Sequence, residues 1–124
     1  MVSMRYADKI PYVFVLDYLA AADIIIKPMF GCYSIYANSK LCLFLVNREQ
    51  PLKGPDGKSM QNGVYVATTA DHSDELGKIF ASAEFQFLKE KKVWIFISET
   101  SVKFEEYTIK ACEMIGSRDA RIGR

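Results

Sequence analysis

The chain has 124 residues, half of them hydrophobic and a quarter charged, with 8 Phe and 7 Tyr, a profile that suits one packed domain and excludes a disordered segment. Sixteen basic side chains against 15 acidic ones leave a net charge of +1, which excludes an overall field drawing the chain to nucleic acid or to an anionic membrane. No apolar stretch reaches the ~18 residues of a membrane span, and Met1-Val2-Ser3-Met4-Arg5 leads into no signal-peptide core, so no membrane association and a cytoplasmic location are expected.

In chain order, Asp8 can cap a first helix whose opening turn tolerates Pro11, with Ile10, Val13, Phe14, Tyr18 and Ala21 recurring at helical spacing up to about Ala22. Pro28 stops any continuation. Met29 to Ala37 and Leu41 to Asn47 are β-prone runs joined by the tight turn Asn38-Ser39, which predicts a hairpin. A Gly/Pro-rich loop over 50–63 follows, of which Pro51 to Asn62, short of large apolar groups, is expected to be mobile. Val64 to Thr68 predicts a third strand, and Asp71 or Ser73 a cap for a short helix carrying Leu76, Ile79 and Phe80. Phe85-Gln86-Phe87 and Val93 to Ile97 flank the charged turn Lys89-Glu90-Lys91-Lys92 as a second hairpin, whose first arm could instead extend the preceding helix. Ser101 caps a last helix. Its first turn carries Glu105 and Glu106, its apolar face Phe104, Thr108, Ala111, Cys112 and Ile115, and Gly116 can end it.

The order α-β-β-β-α-β-β-α, dominated by hairpins, predicts an α+β two-layer sandwich: a mainly antiparallel sheet with helices laid on one face. Residues 1–116 would form this single domain and the polar residues 117–124 a mobile C-terminal tail.

The stretch Lys27-Pro28-Met29-Phe30-Gly31-Cys32-Tyr33-Ser34-Ile35-Tyr36, followed by Lys40-Leu41-Cys42-Leu43-Phe44, resembles the N-terminal domain of TfoX/Sxy-type proteins. In that family a Met-Phe-Gly signature opens the first strand after helix one, a Tyr or Phe sits late in that strand, and a Lys begins the second. The resemblance covers the first half of the chain by motif and the second by pattern. It departs from the family in a longer loop over 50–63 and in having no second helical domain. It implies a stand-alone TfoX N-terminal-like module with a regulatory role, and it supplies no catalytic residues. Met29, Phe30 and Gly31 enter as structural landmarks only.

Candidate chemistry is sparse. Gly54-Pro55-Asp56-Gly57-Lys58-Ser59 superficially resembles a phosphate-binding loop, but Leu52 stands where the pattern needs Gly, and a strand follows instead of a helix. His72 is the only histidine, beside Asp71, Ser73 and Asp74, and fits a solvated helix start better than a ligand or base. Cys32, Cys42 and Cys112 lack the C-x-x-C spacing of zinc or redox sites and fall on apolar positions, so they read as buried thiols. Glu105 and Glu106, about 100° apart on a helix, cannot flank one substrate atom. Lys89, Lys91 and Lys92 near Phe85, Phe87 and Trp94 place charge beside aromatics as single-strand binders do, but an ordinary hairpin tip looks the same.

No catalytic, cofactor-binding or metal-binding residue is therefore assigned. The expected function is a non-catalytic interaction or regulatory domain, with an unidentified protein as a possible partner. The alternative is a small-molecule or enzymatic pocket built from the aromatic-rich sheet and the 50–63 loop, with Tyr33, Tyr36 and Tyr65 as polar handles. In the predicted register, Ala37 faces Lys40 and Ile35 faces Cys42, so both sheet faces are apolar while the helices can cover one. A homodimer is expected on that ground.

Overall fold

The computed structural model describes residues 10–29, 32–49, 61–81, 84–86 and 93–124. Within them, runs rich in β-branched and aromatic residues form six strands: β1 (Ile24–Met29), β2 (Cys32–Ala37), β3 (Lys40–Val46), β4 (Gly63–Thr68), β5 (Glu84–Gln86) and β6 (Val93–Ser98). All neighbours are antiparallel, in the order β1-β2-β3-β4-β6-β5. Three helices, α1 (Val15–Tyr18), α2 (Ser73–Ile79) and α3 (Phe104–Gly116), complete the predicted α+β sandwich.

The strand added to the predicted order is β1. Ile24 and Ile26 are buried while Ile25 is 56% exposed, the alternation of a strand with one face on a core. Pro28, read from sequence as a helix stop, sits inside β1 opposite Tyr33, where an edge position tolerates its missing N–H. The first helix is correspondingly shorter than predicted. Tyr12 adopts a left-handed φ of 53° directly after Pro11, which re-phases the chain: Val15, Leu19 and Ala22 are buried, whereas Val13, Tyr18 and Ala21 of the predicted stripe are exposed. Asp8, its predicted cap, lies outside the described residues, as do 50–60 of the long loop and the turn 89–92.

The hairpin turn is as predicted. Asn38 and Ser39 both take positive φ, 52° and 69°, the pair of left-handed residues that matches strand twist in a two-residue connection. Ala37 faces Lys40 and Tyr36 faces Leu41, but Ile35 faces Leu43 and not Cys42, because a bulge between Ile35 and Tyr36 leaves Cys42 as the extra residue. At the other end of β4, Gly63 has a φ of 155°, and a Cβ there would strike the Ile97 carbonyl and the Phe96 ring.

Alternation sorts the sheet into two cores. Ile24, Ile26, Ile35, Leu43, Leu45, Val64, Val66, Ile95 and Ile97 meet Val15 and Leu19 of the α1 segment, Leu76 and Phe80 at α2, and Ala111, Cys112 and Ile115 of α3. On the opposite face Cys32, Phe44, Val46, Tyr65, Ala67 and Trp94 form a second buried cluster, with Leu41 and Phe96 packed against it. Its rings are in contact range: Tyr65 and Phe96 centroids lie 4.6 Å apart, and Phe44 lies 6.2 Å from Trp94. All three helices thus lie on one face, as predicted, yet the other face is also buried within a single chain.

The ends of α2 and α3 differ in detail from the sequence reading. His72, not Asp71 or Ser73, holds the N-cap position of α2, without a side-chain cap. The Ser101 hydroxyl accepts a hydrogen bond from the Lys103 N–H at 3.2 Å, just ahead of α3. α3 ends at Gly116 through a Schellman arrangement, in which Asp119 N–H donates to the Met114 carbonyl at 2.9 Å and Arg118 N–H to that of Ile115 at 3.0 Å. The left-handed residue is Arg118, φ 59°, where glycine is usual.

Residues 117–124 are not the free tail expected from their polarity. Beyond the Leu43–Val66 pair, β3 no longer pairs with β4, and the final residues enter that gap. Leu41 N–H donates to the Arg124 carbonyl and Arg124 N–H to that of Leu41, both at 3.2 Å, while Gly123 N–H donates to the Ala67 carbonyl at 2.8 Å. The Thr68 hydroxyl donates to the Arg121 carbonyl at 2.6 Å. Ile122 is 3% exposed in the helix-side core. The Arg124 guanidinium donates to the carbonyls of Thr68 (2.9 Å) and Val93 (2.7 Å) and sits 4.5 Å over the Trp94 ring. Unpaired strand groups left by the bulge need partners, and this segment supplies them.

Candidate functional site

The cysteines are free and buried, as predicted. Burial pushes all three thiols above the ordinary cysteine value, Cys112 to about 12 with Glu113 adding to the effect. Arg48 offsets part of this at Cys32, as do the Ala37 carbonyl and the Lys40 charge at Cys42. Cys32 belongs to the aromatic face and Cys42 to the helix face, so the predicted separation holds despite the bulge. Such thiols are poor nucleophiles.

The three tyrosine handles are not brought together. Tyr33 packs half-buried against the helix-side core. Tyr36 is half-buried with the Lys27 ammonium 4.8 Å over its ring. Tyr65 is buried on the aromatic face, its hydroxyl donating to the Gln61 carbonyl at 3.0 Å, and burial raises the phenol to about 12. No shared pocket follows from them. Trp94 is buried beneath Arg124 and offers no open stacking platform for a base. Glu105 and Glu106 are exposed in the first turn of α3, where carboxylates complement the helix dipole.

One polar cluster serves the fold. Tyr12 donates its hydroxyl to the Val46 carbonyl at 3.0 Å, and Asn47 donates its amide to Glu99 at 3.0 Å. Burial first, and Glu99 second, raise the Tyr12 phenol well above its usual range. Asn62 accepts from the Arg48 N–H at 2.9 Å and donates to the Arg48 carbonyl at 3.2 Å, continuing the β3–β4 ladder through a side chain.

A different arrangement lies at the opposite end of β3. The β2–β3 turn and the end of α3 flank a partly open cavity of about 250 Å³. Its floor is apolar: Ala37, Cys42, Ile115 and Ile122. Its rim is polar: Asn38, Lys40, Arg118 and Asp119. Asp119 is already engaged, taking the Arg121 guanidinium at 2.9 and 2.7 Å, which holds its carboxyl at about 2. Arg121 also donates to Glu75 at 2.7 Å, tying this segment to α2. Asn38 accepts the Asp23 N–H on its side-chain oxygen at 3.3 Å, which leaves its NH₂ group as a donor. Lys40 packs its stem along Gly123, where an added Cβ would come within 3.2 Å of the Lys40 Cβ and 3.3 Å of the Cys42 sulfur. Gly123, φ 99°, permits that approach. A wider opening of about 920 Å³ runs along α3, and its described lining comes from that helix and Ser117 just after it.

Comparison of the chain with protein-family models, curated proteins and solved structures found no match. The geometry must therefore speak through its own residues. Among the described residues no group of three or more His, Cys, Asp or Glu is placed to hold a metal ion, and no helix is long and apolar enough to cross a membrane. Of the cavity's rim, Lys40 enters through the resemblance, as the residue that begins the second strand. Asn38 was legible as a turn residue, whereas nothing in residues 117–124 announced that they would fold back beside it.

Proposed function

We propose that the chain is a non-catalytic interaction or regulatory domain of the TfoX N-terminal type, working in the cytoplasm. The observation that carries this reading is the withdrawal of its potential nucleophiles: all three thiols are buried and harder to ionise than free cysteine. Of the landmarks of the resemblance, Lys40 begins a strand, β3, whereas Met29 closes β1 instead of opening the first strand after the first helix; Phe30 and Gly31 lie outside the described residues.

The homodimer rested on an uncovered apolar sheet face. That face is buried within one chain, so this ground for self-association is gone. Among the described residues the large apolar side chains left exposed, Val13, Tyr18, Ile25 and Val102, come from three different parts of the chain.

Incubating the protein with pooled metabolites and nucleotides, and following the mixture by NMR, tests the non-catalytic reading. Binding without conversion is expected. Product formation that disappears with heat-denatured protein would contradict it.

A further inference from the structure

We propose that the cavity between the β2–β3 turn and the end of α3 binds a small monocarboxylate with a short aliphatic stem. The inference goes beyond the regulatory reading and stands or falls separately from it.

Charge is the first ground. Among the described residues Lys40 and Arg118, both exposed, make no side-chain hydrogen bond or ion pair, although both border the cavity. Asp119, the acid on the same rim, is neutralised by Arg121 through two hydrogen bonds. Two free cations and Asn38 therefore border a cavity whose one anion is occupied. A guanidinium fork and an ammonium on one rim suit the two oxygens of a carboxylate.

Conformation is the second ground. Arg118 takes the left-handed position of the Schellman arrangement, which glycine would adopt without steric cost. An arginine held there presents its side chain at the rim. The simplest competing explanation is that Lys40 and Arg118 only complement the negative end of the α3 dipole. That alternative predicts no ligand.

The floor and the helix end narrow the ligand class. Ala37, Cys42, Ile115 and Ile122 line the cavity with apolar side chains, which accept an aliphatic group and leave a second polar group unsatisfied. The carbonyl end of α3 opposes excess negative charge, which disfavours a phosphate dianion relative to a monoanion. About 250 Å³ is below the ~300–1,000 Å³ of pockets for drug-sized ligands, and suits a few carbons. Because Asp119 and Ile122 belong to the segment that closes the β3–β4 gap, the ligand would bind only when that segment is docked and would hold it there. Trp94, the sole tryptophan, reports the docking through Arg124.

The full chain is titrated with acetate, butyrate, hexanoate and inorganic phosphate at constant ionic strength, following thermal melting and Trp94 emission. The melting point should rise saturably with the carboxylates, affinity should grow roughly fourfold per methylene until the cavity is full, and phosphate should bind more weakly. Arg118→Gly should melt above the unmodified protein without ligand yet lose roughly tenfold or more in affinity, and Lys40→Gln should lose a similar factor while staying folded. No saturable effect from any carboxylate, tighter binding of phosphate, or unchanged affinity in folded Arg118→Gly would each overturn the proposal.

Discussion

Three thiols give three possible disulfide pairs, and burial on separate surfaces works against the nearest of them in sequence. Cys32 lies beneath the aromatic face and Cys42 in the helix-side core, with the sheet between them. Alternation alone made this legible, since an even spacing across the Asn38-Ser39 turn fixes which side each residue takes. The bulge at Ile35 and Tyr36 was not legible, because its extra residue, Cys42, is as apolar as its neighbours. Raised thiol values predict slow modification of the folded protein at neutral pH. After denaturation and alkylation without reductant, mass spectrometry should find three modified cysteines; a Cys32–Cys42 cross-linked peptide would contradict the observed faces. Arg118 marks the limit of residue-level reading. Gly116 and the apolar stripe correctly place the end of α3, but nothing in an arginine signals a left-handed backbone two residues later.

At the level of elements, the β-prone runs and the 3.6-residue stripe of α3 were read well, whereas the face each residue of β3 takes beyond the bulge, and signals with two meanings, were not. Pro28 serves both as a helix stop and as an edge-strand residue, and the Ile24-Ile25-Ile26 run before it reveals its strand only through the pairing with β2. Polarity likewise made residues 117–124 look like a tail. In fact Asp119, Arg121 and Glu75 form the polar fastening of that segment while Ile122 is its single buried anchor. This fastening has a pH signature. The Asp119 carboxyl is lowered from 3.8 to about 2, chiefly by the hydrogen bonds to Arg121, so its stabilising effect is complete above the unfolded value and is lost as pH falls through the folded one. Solvent exposure keeps the effect small. Trp94 emission should therefore change between pH 3.8 and about 2 in the native protein, and Asp119→Asn should flatten that change. An identical acid transition in Asp119→Asn would show that the carboxylate does not hold the segment.

For the molecule as a whole, the α+β sandwich followed from hairpin spacing and from apolar runs that the sheet divides between two faces. The apolar excess on the second face was legible too, but its resolution was not: sequence pointed to a second copy, and the structure buries Phe44, Tyr65 and Trp94 within one chain. Light scattering coupled to gel filtration should accordingly give the mass of a single chain at high protein concentration, and a stable two-chain mass would require another interface. The cavity could not be anticipated, since it joins residues 37–42 to residues 115–122 through a fold-back that has no motif. That fold-back turns the β3–β4 gap into continuous structure, and amide hydrogen exchange tests it residue by residue. Leu41, Gly123 and Arg124 donate the hydrogen bonds that close the gap and should exchange as slowly as amides inside β3 and β4; exchange of Gly123 and Arg124 at the rate of a free chain would show that residues 117–124 do not belong to the sheet.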